Sequence, residues 1–192
     1  MALRLDPLPA AAELVLAIEF LCRGRADADG LVCTVGQLTA QPGASNVIAG
    51  HVVLSIDVRA RRDEVRTIVV QDLRVAAADI CRRRGLECSV EVVHEAVSVD
   101  CDVKLRLHLE DAVTAVNALH GARAPALTLT SGAGHDALAL AEFCPVGMLF
   151  VRCLDGVSHS PKEYVSPGDI IAAVQALVHV IRGFGQEGKE DL

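Results

Sequence analysis

The sequence predicts a chain of mixed α/β (α+β) class, built from two different halves. Three observations predict it. His51 to Arg59 alternates apolar and polar residues, which is the period of a strand. Arg62 to Arg84 repeats its apolar residues at helical spacing. Beyond residue 100, two apolar runs each lead into a loop of small residues that carries a histidine, with helix-like segments between and after them.

The elements follow in order. Asp6-Pro7 is a helix start, with a capping side chain and then a proline at the first helical position. Leu8, Ala11, Ala12, Val15, Ile18 and Cys22 repeat at helical spacing until Gly24. Leu31 to Leu38 is a short strand, and Pro42-Gly43 turns the chain. The strand His51 to Arg59 puts Val52, Leu54, Ile56 and Val58 on one face. The helix Arg62 to Arg84 carries Val65, Ile68, Val69, Leu73, Ala76 and Ile80 as its stripe. Arg82-Arg-Arg84 is its cationic last turn before Gly85. Leu86, Cys88, Val90 and Val92 alternate as a further strand.

Residues 97–104 read as a linker. Leu105, Leu109, Ala112, Val113, Val116 and Leu119 form a helix ended by Gly121. Ala126 to Thr130 is a strand, Asp136 to Phe143 a short helix, and Val146 to Arg152 another strand. Ser166-Pro167-Gly168-Asp169 caps a helix carrying Ile170, Ile171, Val174, Leu177, Val178 and Ile181, which frays from Gly183. The organisation is therefore residues 1–96 and residues 97–192. The first half reads α-β-β-α-β, a ferredoxin-like β-α-β-β-α-β unit without its first strand. That strand is central in the fold, so its absence leaves two neighbours with unpaired backbone groups. After its opening helix the second half reads β-α-β-α, one edge of a larger α/β sheet.

Composition narrows the function. Hydrophobic residues make up 52% of the 192, and mean hydropathy is +0.38. No run reaches the roughly 18 uninterrupted apolar residues of a membrane span. The first ten residues lack the basic start and apolar core of a signal peptide, which implies a cytoplasmic location. Net charge is −7, with one tyrosine and no tryptophan. That combination argues against a phosphate-tracking, base-stacking surface, so no nucleic acid is expected as a partner. The seven cysteines form no C-x-x-C pair and read as free or buried thiols of a reducing compartment.

Two loops carry candidate chemistry: Ser131-Gly-Ala-Gly-His-Asp-Ala137 and Gly156-Val-Ser-His-Ser-Pro161. Glycine allows close approach of backbone to a ligand, and histidine binds metal or moves protons near neutral pH. The first loop also fits the G-x-G-x-x-A nucleotide fingerprint, with Asp155 about 20 residues on. Against that reading, the following helix is short, and too little chain follows for a second mononucleotide-binding half. His51, His94, His108, His120 and His179 have no motif around them.

The two loops resemble those of the dinuclear-zinc amidohydrolases: allantoate amidohydrolase, N-carbamoyl-L-amino-acid hydrolase and β-ureidopropionase. The resemblance extends to Arg4-Leu-Asp-Pro-Leu8, Ala11-Ala-Glu-Leu-Val-Leu-Ala-Ile-Glu19, Pro42-Gly-Ala-Ser-Asn-Val-Ile48 and Asp57-Val-Arg59. It implies that residues 1–96 are most of a lid or dimerisation domain. Residues 97–192 are then the C-terminal edge of a zinc-peptidase-like catalytic domain. It implies that His135 stabilises the oxyanion or contacts substrate, that His159 is a metal ligand, and that Asn46 and Arg59 hold the substrate carboxylate. A loop histidine satisfied by backbone, or a surface arginine at a strand end, is the plainer alternative at each position. Arg152-Cys153 departs from the family's usual Pro-Ser.

The resemblance further implies a complete enzyme with two divalent metal ions, zinc or manganese. Their other ligands and the catalytic base belong to segments upstream of anything matched here, and Met1 aligns with an internal methionine. The expected function is thus the C-terminal portion of a metal-dependent amidohydrolase acting on a linear carbamoyl or ureido C–N bond. Alone it would be inactive and bind no metal tightly. Its expected partners are a ureido or carbamoyl acid substrate, a second copy bound through the lid, and a separate N-terminal piece. A non-catalytic dimerising remnant or interaction module is the alternative, ahead of a nucleotide-binding protein.

Overall fold

The computed structural model describes residues 4–24 and 30–190, with side chains through Phe184 in the last helix. Met1 lies outside them. The chain divides into two compact units, residues 1–98 and 99–192. Its elements are α1 (Pro7–Arg23), β1 (Val32–Gln41), β2 (His51–Arg59), α2 (Asp63–Arg84), α3 (Val103–Leu119), α4 (Ala137–Leu140) and α5 (Pro167–Glu190), with a 3-10 turn at Leu154–Gly156. The class is mixed helix and strand, as the patterning predicts.

In the first unit, α1 begins where Asp6 accepts a hydrogen bond from the Leu8 N–H at 3.1 Å. α2 ends at Gly85, which adopts φ 66°. Gly85 N–H donates to the Arg82 carbonyl and Leu86 N–H to the Cys81 carbonyl, the paired bonds of a Schellman cap. β1 and β2 form an antiparallel pair. The pairing jumps from Val35–Ile56 to Gln37–Ser55, leaving Gly36 as a bulge. Ser55 Oγ accepts from Gln37 N–H there, at 3.0 Å. Before the bulge Cys33 and Val35 face the helices; after it the even positions Leu38 and Ala40 pair with Leu54 and Val52.

Both helices lie on the Val52, Leu54, Ile56, Val58 face. The core is Ile18, Cys22, Leu31, Val65, Val69 and Leu73, with Leu14, Leu21, Val35, Ile56 and Val58 packed against it. The predicted stripes need adjustment. Ala10, Leu14 and Leu21 join the buried side of α1, whereas Leu8 and Ala12 are exposed. On α2, Ile68 is exposed and Ala77, not Ala76, is buried. The cysteine reading is also corrected. Cys22 and Cys33 are disulfide-bonded, with Cα atoms 6.1 Å apart. Cys22 in the last turn of α1 faces the start of β1, a proximity that spacing along the chain does not encode.

The predicted strand Leu86–Val92 is not one: the segment carries no ladder. A strand is defined by its partner, and in a ferredoxin-like unit this position pairs with the strand that the predicted order lacks. Among the described residues β2 likewise has a ladder neighbour on one side only.

The second unit is helical among the described residues. α3 starts at an Asp102 cap that accepts from Leu105 N–H at 2.9 Å. Its start at Val103 lies inside the predicted linker. α5 starts at Ser166, whose Oγ accepts from Asp169 N–H at 3.1 Å and donates to Asp169 Oδ2 at 2.7 Å. It continues past Gly183 to Glu190 rather than fraying there. The predicted strands Ala126–Thr130 and Val146–Arg152 carry no ladder either. The second is nonetheless laid on α3: Asp102 N–H donates to the Val146 carbonyl at 2.8 Å. α3 and α5 pack through small residues, with Ala112, Val116 and Ala176 buried and Ala172 and Val180 beside them. The large residues that the sequence places on α5, Ile170, Ile171, Val174, Leu177, Val178 and Ile181, are exposed.

Candidate functional site

Arg59 ends β2 on the face away from the helices. Residues two apart on a strand share a face, so Asp57 stands beside it. The guanidinium donates Nε–H to Asp57 Oδ1 at 2.9 Å and Nη2–H to Oδ2 at 2.6 Å. This is the bidentate fork geometry of arginine and carboxylate. The hydrogen bonds from Arg59 hold the Asp57 carboxyl below its ordinary range, and those to Asp57 raise the guanidinium further. Asn46 lies in the connection between the two strands, in an exposed turn where Val47 N–H donates to the Ala44 carbonyl at 3.3 Å. That connection is closed by Gly50 N–H donating to the Gln41 carbonyl at 2.9 Å.

In the second unit, His135 stands just before α4. Its Nε2 is 2.8 Å from Ser131 Oγ, and that hydroxyl accepts from Ala133 N–H at 3.2 Å. The serine thus ties the ring to the glycine-rich backbone four residues upstream. α4 is a single turn, shorter than the segment Asp136–Phe143 predicted, and offers no helix terminus of the kind that binds a pyrophosphate.

His159 has φ 54°, in the left-handed region that non-glycine residues seldom adopt. Glu163 holds it there: the His159 N–H donates to Glu163 Oε2 at 3.1 Å. Glu163 N–H donates in turn to the Ser160 carbonyl at 2.9 Å. The ring Nδ1 lies 3.3 Å from Ser158 Oγ, which makes Nε2 the nitrogen for an outside ligand. A cavity of about 310 Å³ lies beside this loop, lined by Arg152, Cys153, Asp155, Tyr164 and Asp169 among others. Arg152 pairs with Asp169 at 2.8 Å.

The four sequence-predicted residues therefore fall two by two. Asn46 and Arg59 belong to one unit, His135 and His159 to the other. Among the described residues, no group of three or more His, Cys, Asp or Glu side chains is placed to hold a metal ion. One imidazole is not a donor set, so the residues present do not make a metal centre by themselves. Three partners escaped the sequence reading: Asp57 on Arg59, Ser131 on His135 and Glu163 on His159. The spacings i,i+2 on a strand and i,i+4 in a tight loop were the only available signals.

Comparison with known proteins covers nearly the whole chain. Residues 11–183 match the model of peptidase family M20/M25/M40. A protein named "Probable allantoate deiminase" from Oryza sativa subsp. japonica is 44% identical over 201 residues, covering 94% of this chain and 41% of its own length. An N-carbamoyl-L-amino-acid amidohydrolase from Pseudomonas sp. (strain NS671) is 37% identical over 181 residues, covering 94% and 42%. The crystal structure of AtUAH in complex with (S)-hydroxyglycine superposes with a TM-score of 0.82 at 32% identity, covering 94% of this chain and 41% of that one. The chain thus spans about two fifths of the length of these relatives.

Proposed function

The chain belongs to peptidase family M20/M25/M40, and from that premise we propose that it is the C-terminal portion of a metal-dependent amidohydrolase. The reaction is hydrolysis of a linear carbamoyl or ureido C–N bond in an N-carbamoyl-L-amino acid, allantoate or a related ureido acid. One observation carries the reading: 94% of the chain is like proteins named for those reactions.

The roles follow the local geometry. Arg59 and Asn46, on and beside the open face of β2, bind the substrate carboxylate. His135, oriented by Ser131, supplies a hydrogen-bond donor to the oxyanion. Such a donor lowers a barrier by about 2.7–4 kcal/mol where it meets developing charge. His159, fixed by Glu163, presents Nε2 as one ligand of a metal. Enzymes of this family generally use divalent metals; zinc or manganese would polarise the carbonyl and activate water. The remaining ligands come from outside the described residues. In this reading residues 1–96 are the lid, through which two copies pair, and residues 97–192 belong to the catalytic domain. A cytoplasmic location is part of the reading; the Cys22–Cys33 bond is the feature that argues for a more oxidising one.

The test is turnover of allantoate and of N-carbamoyl-L-amino acids with added zinc or manganese. The chain is assayed alone and mixed with the part of the Oryza relative that precedes the match. Silence alone and product release in the mixture are expected. Turnover by the chain alone would overturn the division of ligands. A mixture that assembles but stays silent on every ureido and carbamoyl acid would overturn the reaction.

A further inference from the structure

The Schellman cap at Gly85 does more than end α2. By reversing the chain there, it returns residues 86–90 along the helix they have just left. Cys88 comes to lie over the preceding turn, where its thiol donates to the Ala77 carbonyl at 3.6 Å. Ala77 and Cys81 are four apart on the helix and so share a face. The Cys88 thiol therefore lies on the helix face that carries Cys81, which is half-buried while Cys88 is exposed. Beside Cys88 opens a cavity of about 420 Å³, walled by Arg74, Ala77, Ala78 and Val90.

We propose that Cys81 and Cys88 are a redox-active dithiol that a small-molecule disulfide closes to a second intrachain disulfide of the first unit. The two thiols have different parts. Burial and the neighbouring Cys88 sulfur push Cys81 up to about 11. Cys88 is exposed and Cys81 half-buried, so Cys88 is the sulfur that a disulfide in solution reaches and is the attacking one. Its thiolate attacks one sulfur of the disulfide RSSR, which arrives through the cavity where Arg74 favours an anionic reagent. A Cys88–S–S–R bond forms and RS⁻ leaves. Cys81 then loses its proton to solvent and attacks the Cys88 sulfur, expelling the second RS⁻. The two released thiolates take up the two protons. The sum is two cysteine thiols plus RSSR giving one protein disulfide plus two RSH. Closure ties the segment 86–92, which has no ladder, to the end of α2.

Oxidised glutathione tests this on the intact chain, with products read by mass spectrometry under non-reducing conditions. Trypsin alone leaves Cys88 and Cys101 in one peptide; a glutamate-specific protease added to it separates them. Of the five free thiols, Cys81 and Cys88 should disappear together, joined to each other. Cys81→Ser should trap glutathione on Cys88. Cys88→Ser should leave Cys81 unmodified. Glutathione that accumulates on Cys88 in the unaltered chain would overturn the proposal. So would consumption of Cys101, Cys144 or Cys153 while Cys81 and Cys88 stay free. Circular dichroism of both serine variants, unchanged from the parent, shows that the readout is chemical and not a loss of fold.

Discussion

Arg59 meets a carboxylate before any substrate arrives. Asp57 occupies its fork, so in the proposed role a substrate carboxylate would share the guanidinium or displace Asp57. In the reconstituted enzyme, Arg59→Ala should raise KM by roughly 10- to 150-fold, the equivalent of losing a charge-assisted contact of about 1.5–3 kcal/mol. The turnover number should change less. Steady-state kinetics decide; an unchanged KM would remove Arg59 from the carboxylate site. His159→Ala should instead lower bound metal, read by elemental analysis. Acid stability follows from the same kind of pair. Arg59 depresses Asp57, Arg83 and Arg84 depress Glu13, and Arg83 and Arg82 depress Asp79. A depressed carboxyl adds stability above its unfolded-state pKa and loses it as pH falls through the folded value. The first unit should therefore weaken below the ordinary carboxylate range, modestly because these pairs are exposed. Glu13→Gln should flatten that loss in urea melts taken from pH 6 to pH 2. At this scale the sequence named Arg59, His135 and His159 but none of their partners. A side chain's identity is written in the chain; what it touches depends on the loop around it.

At the scale of elements, caps and helices were legible because their signals are local. Asp6, Gly85 and Ser166 each do what their residue type favours at that position. β1 runs three residues beyond its predicted end at Leu38, and its inward positions change from odd to even across the Gly36 bulge. Strict alternation then breaks although the face is kept. The three unrealised strands have the composition of strands. Pairing, however, is a property of two segments, and no partner lies within the described residues. Two glycines separate backbone strain from crowding. At Gly85 an added Cβ would find Leu5 Cδ2 at 3.4 Å, an ordinary contact, but φ is 66°. Gly85→Ala should cost about 1–2 kcal/mol through the left-handed backbone alone. At Gly147 an added Cβ would stand 3.1 Å from Leu105 Cβ and 3.3 Å from Leu109 Cδ1. Leu105 Cβ is fixed to the helix and yields little, so Gly147→Ala should cost about 1–3 kcal/mol by overpacking. Hydrogen exchange distinguishes them: protection should fall in residues 4–98 for the first variant and in residues 99–190 for the second. Loss of protection in the other unit alone would contradict the assignment.

At the scale of the whole molecule, the apolar surface is distributed in a way that small residues explain. α5 meets α3 through Ala172, Ala176 and Val180. Its large residues Ile170, Ile171, Val174, Leu177, Val178 and Ile181 are left exposed. The same unit exposes Leu127 at 80% and Phe143 at 84%; in the first unit Val93 is 96% exposed and Val90 and Val92 are exposed with it. Isolated exposed leucines and valines are ordinary, but contiguous apolar stripes are not, and they mark surfaces that other protein covers. β2 adds an edge whose outward N–H and C=O groups have no ladder neighbour among the described residues, and such edges recruit strands. Both effects act in one direction, because a second polypeptide that buries the stripe or pairs the edge gains stability from either. The purified chain should therefore sediment as a dimer or larger, or aggregate, and should bind a hydrophobic dye while keeping its helical circular dichroism. Supplying the preceding part of a full-length relative should reduce the dye signal as the surfaces are covered. A monodisperse monomer with no dye binding and one sharp thermal transition would mean that these 192 residues close their own fold, and the reading of the chain as part of a larger amidohydrolase would fall with it.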